Sequence, residues 1–205
     1  MILIWGFRVR FKTLLEGVFF CPSCGGDRGY VRKQARRWFT FFFIPLIPLG
    51  NVGDEFVECT TCKSAYKPSV LDMPTSASVG DTLIAATREA VVWLLRLSPP
   101  TAATVSTAMD LLSRTANRPW SEGELQADLA GLDVNGLMRR LVDLAGVLNE
   151  HGKESFLGGC TAVAAADGSI STEERQLLQN IAGSLSMTPA HARGVIAQVT
   201  EQAGL

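Results

Sequence analysis

The sequence predicts two unlike domains, a small β domain followed by an all-helical domain of about seven helices. Residues 1–67 contain short aromatic and β-branched runs that glycine and proline interrupt, a pattern typical of short strands joined by turns. Residues 81–205 are instead rich in alanine, leucine and charged residues at helical spacing. Between them, residues 68–80 contain two prolines and three serines with little periodicity, and we interpret them as a linker.

Four of the five cysteines form two C-x2-C pairs, Cys21 with Cys24 and Cys59 with Cys62, separated by 34 residues. A two-residue spacer lets one tight turn direct two sulfurs at an ion about 2.3 Å away, and two such turns complete the tetrahedron that zinc prefers. Two glycines follow the first pair, where a positive φ is commonly needed. Because four thiolates close the coordination shell, the predicted zinc is structural rather than catalytic.

Two other interpretations of these cysteines stay open. The stretch CPSC on its own is similar to a thioredoxin-type dithiol, although that motif belongs at the start of a helix in a βαβ unit. The four thiols can also be read as a degenerate set that binds no metal. The second C-x2-C pair downstream favours the zinc site over both.

The most apolar run of the chain, RRWFTFFFIPLIPLG at residues 36–50, lies between the two cysteine pairs. Its apolar core of 12 residues is too short to cross a bilayer, and prolines interrupt it. One interpretation is that the run supplies strands and interior to a domain otherwise short of both. The other is that it exposes aromatic residues beside cations, as a surface for nucleic acid, lipid headgroups or a protein groove. The candidate binding surface comprises Arg32, Lys33, Arg36, Arg37 and Trp38, with Phe39, Phe41, Phe42 and Phe43 beside them.

Charge is distributed unevenly along the chain. Residues 1–75 carry ten Lys/Arg against six Asp/Glu, and residues 76–205 carry nine against fourteen, which gives +4 and −5. One zinc ion held by four thiolates would lower the first value to about +2. The net charge of −1 argues against a strong, chain-wide attraction to nucleic acid or anionic lipid. We expect a mildly basic surface on the first domain and an acidic one on the second.

The N-terminal stretch MILIWGF lacks the form of a secretion signal, since no positive charge precedes its apolar residues. No segment offers the roughly 20 apolar residues of a spanning helix. We therefore expect a cytoplasmic protein, in a reducing compartment where paired cysteines act as ligands more readily than as disulfides.

Helix-start signals divide the second domain. The stretch DTLIAATREAVVWLLRL predicts a first helix. Leucines at 137, 141, 144 and 148 give the fourth helix one buried face. The small residues of ESFLGGCTAVAAA predict a fifth helix in the middle of the bundle. The other helices begin at N-caps followed by proline or at capping boxes. In chain order these signals are Ser98 with Pro99, Ser121 with Glu124, Ser171 with Glu174, and Thr188 with Pro189.

The turn AADGSISTEE between the fifth and sixth helices contains Asp167 and Glu174. Helix capping alone explains Glu174, and Gly168 suits the left-handed residue that ends a helix. The functional alternative is a partial site for a hard divalent cation with oxygens from Asp167 and Glu174, although two carboxylates are few for calcium.

The remaining reactive side chains do not form a catalytic set. Cys160 lies in an apolar helix and is predicted to be a buried, inert thiol. His151 and His191 are each isolated in sequence, and Gly152 is predicted to end the fourth helix. No Ser/His/Asp set, phosphate-binding glycine loop or dinucleotide fingerprint occurs, so we predict no catalytic residue and no enzyme.

Residues 5–70 resemble a known family. The stretches GFRVRFKTLLEGVFFCPSCGG, RRWFTFFFIPLIPLG and VECTTC are similar to bacterial zinc-ribbon proteins with a long interval between cysteine pairs. The function of those modules is unsettled. The resemblance therefore implies zinc at the four cysteines and adds little about activity.

The second domain resembles the TerB-type tellurite-resistance family, which is all-helical. The similarity lies in the pattern D-G-x-I-x-x-x-E, present here as Asp167, Gly168, Ile170 and Glu174, followed by LLQNIAGSLSM. Members tend to have a comparable acidic turn earlier in the domain. Here Ser98 and Val105 stand at the positions that would align with Asp167 and Glu174, so half of the shared acidic cluster is absent.

This resemblance implies a link to stress and chemical-resistance systems, often beside membrane-associated complexes. We expect a non-enzymatic, zinc-binding adaptor in a stress-response or tellurite-resistance-type, envelope-associated complex, with protein partners and peripheral membrane association. The alternative is a nucleic-acid-binding regulator that uses the basic aromatic residues of the first domain, whose affinity would fall steeply with ionic strength.

Overall fold

The computed structural model describes residues 5–41 and 44–204. The chain separates into two compact units, Met1–Ser78 and Val79–Leu205. The first unit contains the sheet, and the second contains the helical bundle. Helix α1 begins at the end of the first unit and continues into the second.

The first unit is an antiparallel five-stranded sheet with β2 at its centre. β1 and β2 form a long hairpin. β1 pairs with β2 from Cys21 opposite Gly26, at the turn, to Trp5 opposite Phe41, at the far end. The other edge of β2 pairs with β4 near the turn and with β3 further out. The strands are β1 (Trp5–Cys21), β2 (Gly26–Phe41), β3 (Ile44–Asn51), β4 (Phe56–Cys59) and β5 (Ala65–Tyr66).

The expectation of short strands is wrong for the first two. β1 and β2 span 17 and 16 residues, with one irregularity between Thr13 and Leu15. The physical reason is that side chains keep alternating between apolar and charged along the outer part of β1, so nothing there ends the strand.

The interior of the first unit is small and lies at the cysteine end of the sheet. Phe19 makes edge-to-face contacts with Tyr30 and Tyr66, at centroid distances of 5.6 and 5.9 Å. A 3-10 helix, Pro68–Asp72, contributes Val70 to the same cluster. The segment interpreted as a linker is therefore partly folded into this unit. The buried cluster is Phe19, Cys21, Tyr30, Val57, Cys59 and Val70.

The second unit is an all-helical bundle, and the described residues contain seven α-helices in all, as predicted. Leu137, Leu141 and Leu144 on α4 are completely buried, which confirms three of the four leucines predicted for its buried face, whereas Leu148 follows the end of the helix and is half-buried. The helices are α1 (Ser76–Leu97), α2 (Ala102–Ala116), α3 (Glu122–Gly131), α4 (Leu137–Ala145), α5 (Glu150–Ala165), α6 (Thr172–Ser184) and α7 (Pro189–Ala203).

The capping boxes predicted for α3 and α6 are confirmed, as is the Thr188 cap of α7. The predicted start of α2 is wrong. Thr101, not Ser98, is its N-cap, because Thr101 and Thr104 exchange hydrogen bonds in a capping box.

Two further helix boundaries differ from prediction. α1 begins at Ser76 rather than at residue 81, because the Asp27 carboxylate accepts hydrogen bonds from the backbone N–H groups of Ser76 and Ala77, at 2.9 and 3.2 Å. Gly152 does not end α4. It lies in the first turn of α5, where its N–H donates to the side chain of Asn149, the N-cap, at 2.8 Å.

Candidate metal centre and exposed arm

The structure brings the four paired cysteines together. Cys21 ends β1 and Cys59 ends β4, while Cys24 and Cys62 lie in the turns that follow those strands. All four Sγ atoms lie within 4.8 Å of one another, and those of Cys21 and Cys62 are 3.7 Å apart. A tetrahedral ion with zinc–sulfur bonds of about 2.3 Å requires sulfur–sulfur distances of roughly 3.8 Å. The donor set and its spacing therefore fit a zinc ion.

The two cysteine turns have similar backbone hydrogen bonds and the same backbone conformation after the second cysteine. In the first, the N–H groups of Cys24 and Gly25 donate to the Cys21 carbonyl, and in the second the N–H of Lys63 donates to the Cys59 carbonyl. The residue after the second cysteine is left-handed in both turns, with φ of 66° at Gly25 and 62° at Lys63. A glycine meets that demand without cost, as the sequence predicts, whereas Lys63 adopts it despite its Cβ.

The thiols differ in how readily they ionise. Burial opposes ionisation of Cys21, but hydrogen bonds with the Tyr66 hydroxyl and the Cys24 backbone lower its pKa below the usual value. Hydrogen bonds from Ser64 lower the pKa of Cys62 to about 6, whereas burial and then the Cys62 thiol raise that of Cys24 to about 12. Four thiolates this close would repel one another, so the four thiols cannot all ionise without a compensating charge. A bound divalent cation supplies that charge.

Tyr66 is a residue of this centre that sequence reasoning missed. Its hydroxyl lies 3.5 Å from Sγ of Cys21, donates to the Ser23 hydroxyl at 2.6 Å and accepts from the Ser23 N–H at 3.3 Å. Tyr66 therefore joins β5 to the first cysteine turn and to a ligand. The only signal in the sequence is its position four residues after Cys62.

The structure gives Glu174 a structural role. Its Oε2 accepts hydrogen bonds from the N–H and hydroxyl of Ser171, at 2.8 and 2.9 Å, and its Oε1 accepts from the Ser98 hydroxyl at 3.0 Å. Asp167 is exposed and accepts from the N–H of Ser169. In the described part of the chain, the four cysteines are the only group of three or more candidate ligands near enough to share an ion. Both oxygens of Glu174 thus accept hydrogen bonds from serines, and a cation at Asp167 and Glu174 stays a prediction.

The candidate basic surface is divided between the two faces of the sheet. Lys33 and Arg37 occupy alternate positions on one face, and Arg32, Arg36 and Trp38 occupy the other. Arg32 pairs with Glu55, and Lys33 pairs with Glu58 at 2.7 Å. The structure therefore does not bring the five residues together as one cationic surface.

The outer part of the sheet forms what we call the arm, residues 5–12, 34–41 and 44–51, where β1, β2 and β3 pair beyond the buried cluster. Alternation gives the arm an apolar face and a cationic face. The apolar face carries Trp5, Phe7, Val9, Phe11, Phe39, Phe41, Ile44 and Ile47. The cationic face carries Arg8, Arg10, Lys12 and Arg36, with Trp38.

The expectation that the apolar run supplies strands is confirmed, but the expectation that it supplies interior is wrong. Ile44, Leu46, Ile47 and Leu49 are each more than half exposed, because a three-stranded ribbon alone has no second layer to cover it. Phe39 and Phe41 are half-buried. The predicted contributions of Phe42 and Phe43 lie outside the described residues.

The remaining candidates lie in the helical unit. Burial raises the pKa of Cys160 to about 12, which agrees with the predicted inert thiol. His191 is not isolated, since its Nε2 lies 2.7 Å from Oε1 of Glu154 and its Nδ1 lies 3.7 Å from Oε2 of Glu150. His151 is exposed. The His191 contacts join α7 to α5 and give that histidine a structural role.

The four-cysteine centre on a sheet, followed by a seven-helix bundle, defines a metal-binding ribbon fused to a helical domain. A zinc-ribbon family model matches residues 19–86, and the model described as tellurite resistance protein TerB matches residues 78–195. The chain belongs to the TerB family and carries a zinc ribbon ahead of the TerB domain. Comparisons with curated proteins and with solved structures give no match.

The arm and the helices differ in how far these findings describe them. Residues 5–18, which include the β1 part of the arm, precede the zinc-ribbon match. Among the residues that the structure describes, none of the helices has the length and apolar character needed to cross a membrane.

Proposed function

We propose that the protein is a non-enzymatic, zinc-binding adaptor in a stress-response or tellurite-resistance-type complex at the cell envelope. One observation carries this proposal: the four-cysteine centre holds the base of a sheet whose outer part exposes an apolar face. Contiguous exposed apolar faces are characteristic of surfaces that bind a protein or a membrane. Membership of the TerB family supports the link to resistance systems.

Zinc has a structural part in this proposal. The buried cluster of the first unit comprises six residues, two of them cysteines, and so small a core is seldom sufficient alone. One ion held by Cys21, Cys24, Cys59 and Cys62 joins the ends of β1 and β4 through their turns. The central strand β2 is thereby fixed, and β2 carries the arm.

The helical unit supplies the second surface that an adaptor needs. Residues 76–205 carry five more Asp/Glu than Lys/Arg, so this unit suits a partner of opposite charge. We propose a cytoplasmic location that extends to the periphery of a membrane, because paired cysteines act as metal ligands more readily than as disulfides in a reducing compartment. A nucleic-acid regulator has weaker support, since two of the four basic residues proposed for it are ion-paired and the four lie on two faces.

Photo-crosslinking in cells tests the adaptor function with the full chain. A photoreactive residue replaces Val9 on the arm or, as the second site, Val142 on α4, both of which are more than half exposed. We expect two different sets of crosslinked products. Products at position 9 should disappear when Cys59→Ser is added, and products at position 142 should persist.

The contrary results are equally specific. Crosslinks that are identical at both positions, independent of the cysteine change, or absent at both positions would overturn the adaptor function. Crosslinks to nucleic acid at position 9 that vanish with added salt would establish the regulator instead.

A further inference from the structure

We propose that the apolar face of the arm docks on the surface of an anionic lipid bilayer. The inference rests on the proposed function in treating the arm as an interaction surface, and it names the partner of that surface. It follows from the register of the strands, the composition of each face and the placement of charge.

The register of the strands assigns the apolar residues to one face. Phe7 is opposite Phe39 on β2, and Phe39 is opposite Ile47 on β3, so one row crosses all three strands. The rings of Phe7 and Phe39 meet edge to face with centroids 6.1 Å apart. A second row runs from Trp5 through Phe41 and Ile44.

The composition of this face suits a lipid better than a polar partner. Trp5, Phe7, Phe11, Ile44 and Ile47 are between 55 and 65% exposed. Protein and nucleic-acid interfaces need hydrogen-bonding groups among the apolar contacts, and this face offers almost none. Arg37 is the charged side chain on the apolar face of the arm. Its guanidinium lies over the Phe7 ring, 6.0 Å from the ring centroid. An arginine there can extend to a headgroup while its stem stays on apolar surface.

The charge of the arm identifies the lipid as anionic. The arm contains five Lys/Arg and no Asp or Glu. Arg10 and Arg36 are directly opposite each other across β1 and β2, an arrangement of like charges that weakens strand pairing. An anionic surface beneath the arm offsets this repulsion. The arm is a single sheet, about 10 Å thick with its side chains, so the cations of its cationic face lie about one Debye length from the headgroups, where screening is incomplete.

A second copy of the chain fits the arm poorly. Face-to-face association of two apolar faces would bury Arg37 of each copy among apolar side chains, and the arm offers no Asp or Glu to pair with it. Edge-to-edge pairing through β3 is obstructed by Pro45 and Pro48, which have no N–H to donate. Aromatic and aliphatic residues on one face with Lys and Arg on the other match the pattern of elements that lie in the plane of a membrane interface.

Vesicle co-sedimentation of the zinc-loaded full chain tests the inference. We expect binding to vesicles of phosphatidylcholine with about 30% phosphatidylserine and little binding to phosphatidylcholine alone. Phe7→Ser with Ile47→Ser should lower the partition coefficient at least about tenfold, since both side chains leave the lipid contact. Arg10→Gln with Arg36→Gln should raise the phosphatidylserine fraction needed for half-maximal binding.

The matched control is Val142→Ser with Val147→Ser, which changes two exposed apolar residues of the helical unit. It should bind as the unchanged protein does. Zinc content and far-UV circular dichroism of the arm variants should stay unchanged, because the altered side chains are exposed.

Several results would overturn the inference: no binding to anionic vesicles, equal binding to both vesicle types, or unchanged binding by Phe7→Ser with Ile47→Ser. A dimer in light scattering that the same variant abolishes would assign the face to a second copy. If the protein does not bind the vesicles but position 9 still gives protein crosslinks in cells, the lipid partner is refuted. The adaptor function is then unaffected.

Discussion

The Ser98 hydroxyl donates a hydrogen bond to Oε1 of Glu174 at 3.0 Å, joining side chains 76 positions apart. Ser98 follows α1, and Glu174 lies in the first turn of α6, where its other oxygen completes the capping box. Ser98 is also the residue that stands where the acidic pattern of the resembled family would place a carboxylate. Here a neutral donor satisfies a buried carboxylate, so these two turns are joined by a hydrogen bond that needs no cation.

The first prediction concerns this bond. Ser98→Ala should destabilise the helical unit by about 1–3 kcal/mol, because Oε1 of the buried Glu174 loses the serine as its donor. Urea unfolding followed by circular dichroism measures the change. Ser98→Thr keeps the hydroxyl and serves as the control. A Ser98→Ala protein as stable as the control would show that water replaces the serine.

The second prediction concerns the metal. Cys59→Ser should abolish stoichiometric zinc and unfold the first unit, since structural four-cysteine zinc sites contribute on the order of 10 kcal/mol. Elemental analysis and near-UV circular dichroism measure the two effects. Cys160→Ala is the control, because Cys160 lies in the helical core and should leave zinc content unchanged. A folded, metal-free Cys59→Ser protein would show that the sheet does not depend on the ion.

The features predicted correctly from sequence are those whose partners are close in sequence. The two C-x2-C turns and the capping boxes at Ser121 and Ser171 depend on residues three positions apart. Distant partners left no such signal. Asp27 caps α1 from 49 positions away, and Tyr66 contacts Cys21 from 45 positions away.

Exposure of the arm was the main structural property that sequence could not establish. Alternation in β1 correctly separates apolar from charged positions, as Phe7 and Arg8 show. Whether the apolar side is buried depends on whether another layer covers it, and that is a tertiary property. The same pattern therefore allowed both interior and surface for residues 36–50.

The third prediction concerns the left-handed residue of the first cysteine turn. Gly25→Ala should lower the stability of the zinc-bound first unit by about 1 kcal/mol, because a Cβ at φ 66° is strained although nothing lies within 4 Å of it. Competition with a chromogenic zinc chelator should show correspondingly weaker binding. Gly26→Ala is the matched control, since its Cβ would make only an ordinary contact of 3.7 Å with Arg28. Equal effects of the two substitutions would refute the backbone explanation.

The last prediction concerns acid stability of the helical unit. A hydrogen bond from Arg118, followed by those from Ser121, lowers the pKa of Glu124 from 4.5 to about 2. A carboxyl group whose pKa is lower in the folded state stabilises the folded protein at pH values above its unfolded-state pKa. That contribution is lost as the pH falls through the folded-state pKa. Stability should therefore decline between pH 4.5 and about 2. Glu124→Gln should be less stable at pH 7 and should flatten this decline, as measured by urea unfolding across that range. Glu122→Gln, an exposed change in the same helical turn, is the control, and an equal flattening by both variants would contradict the assignment to Glu124.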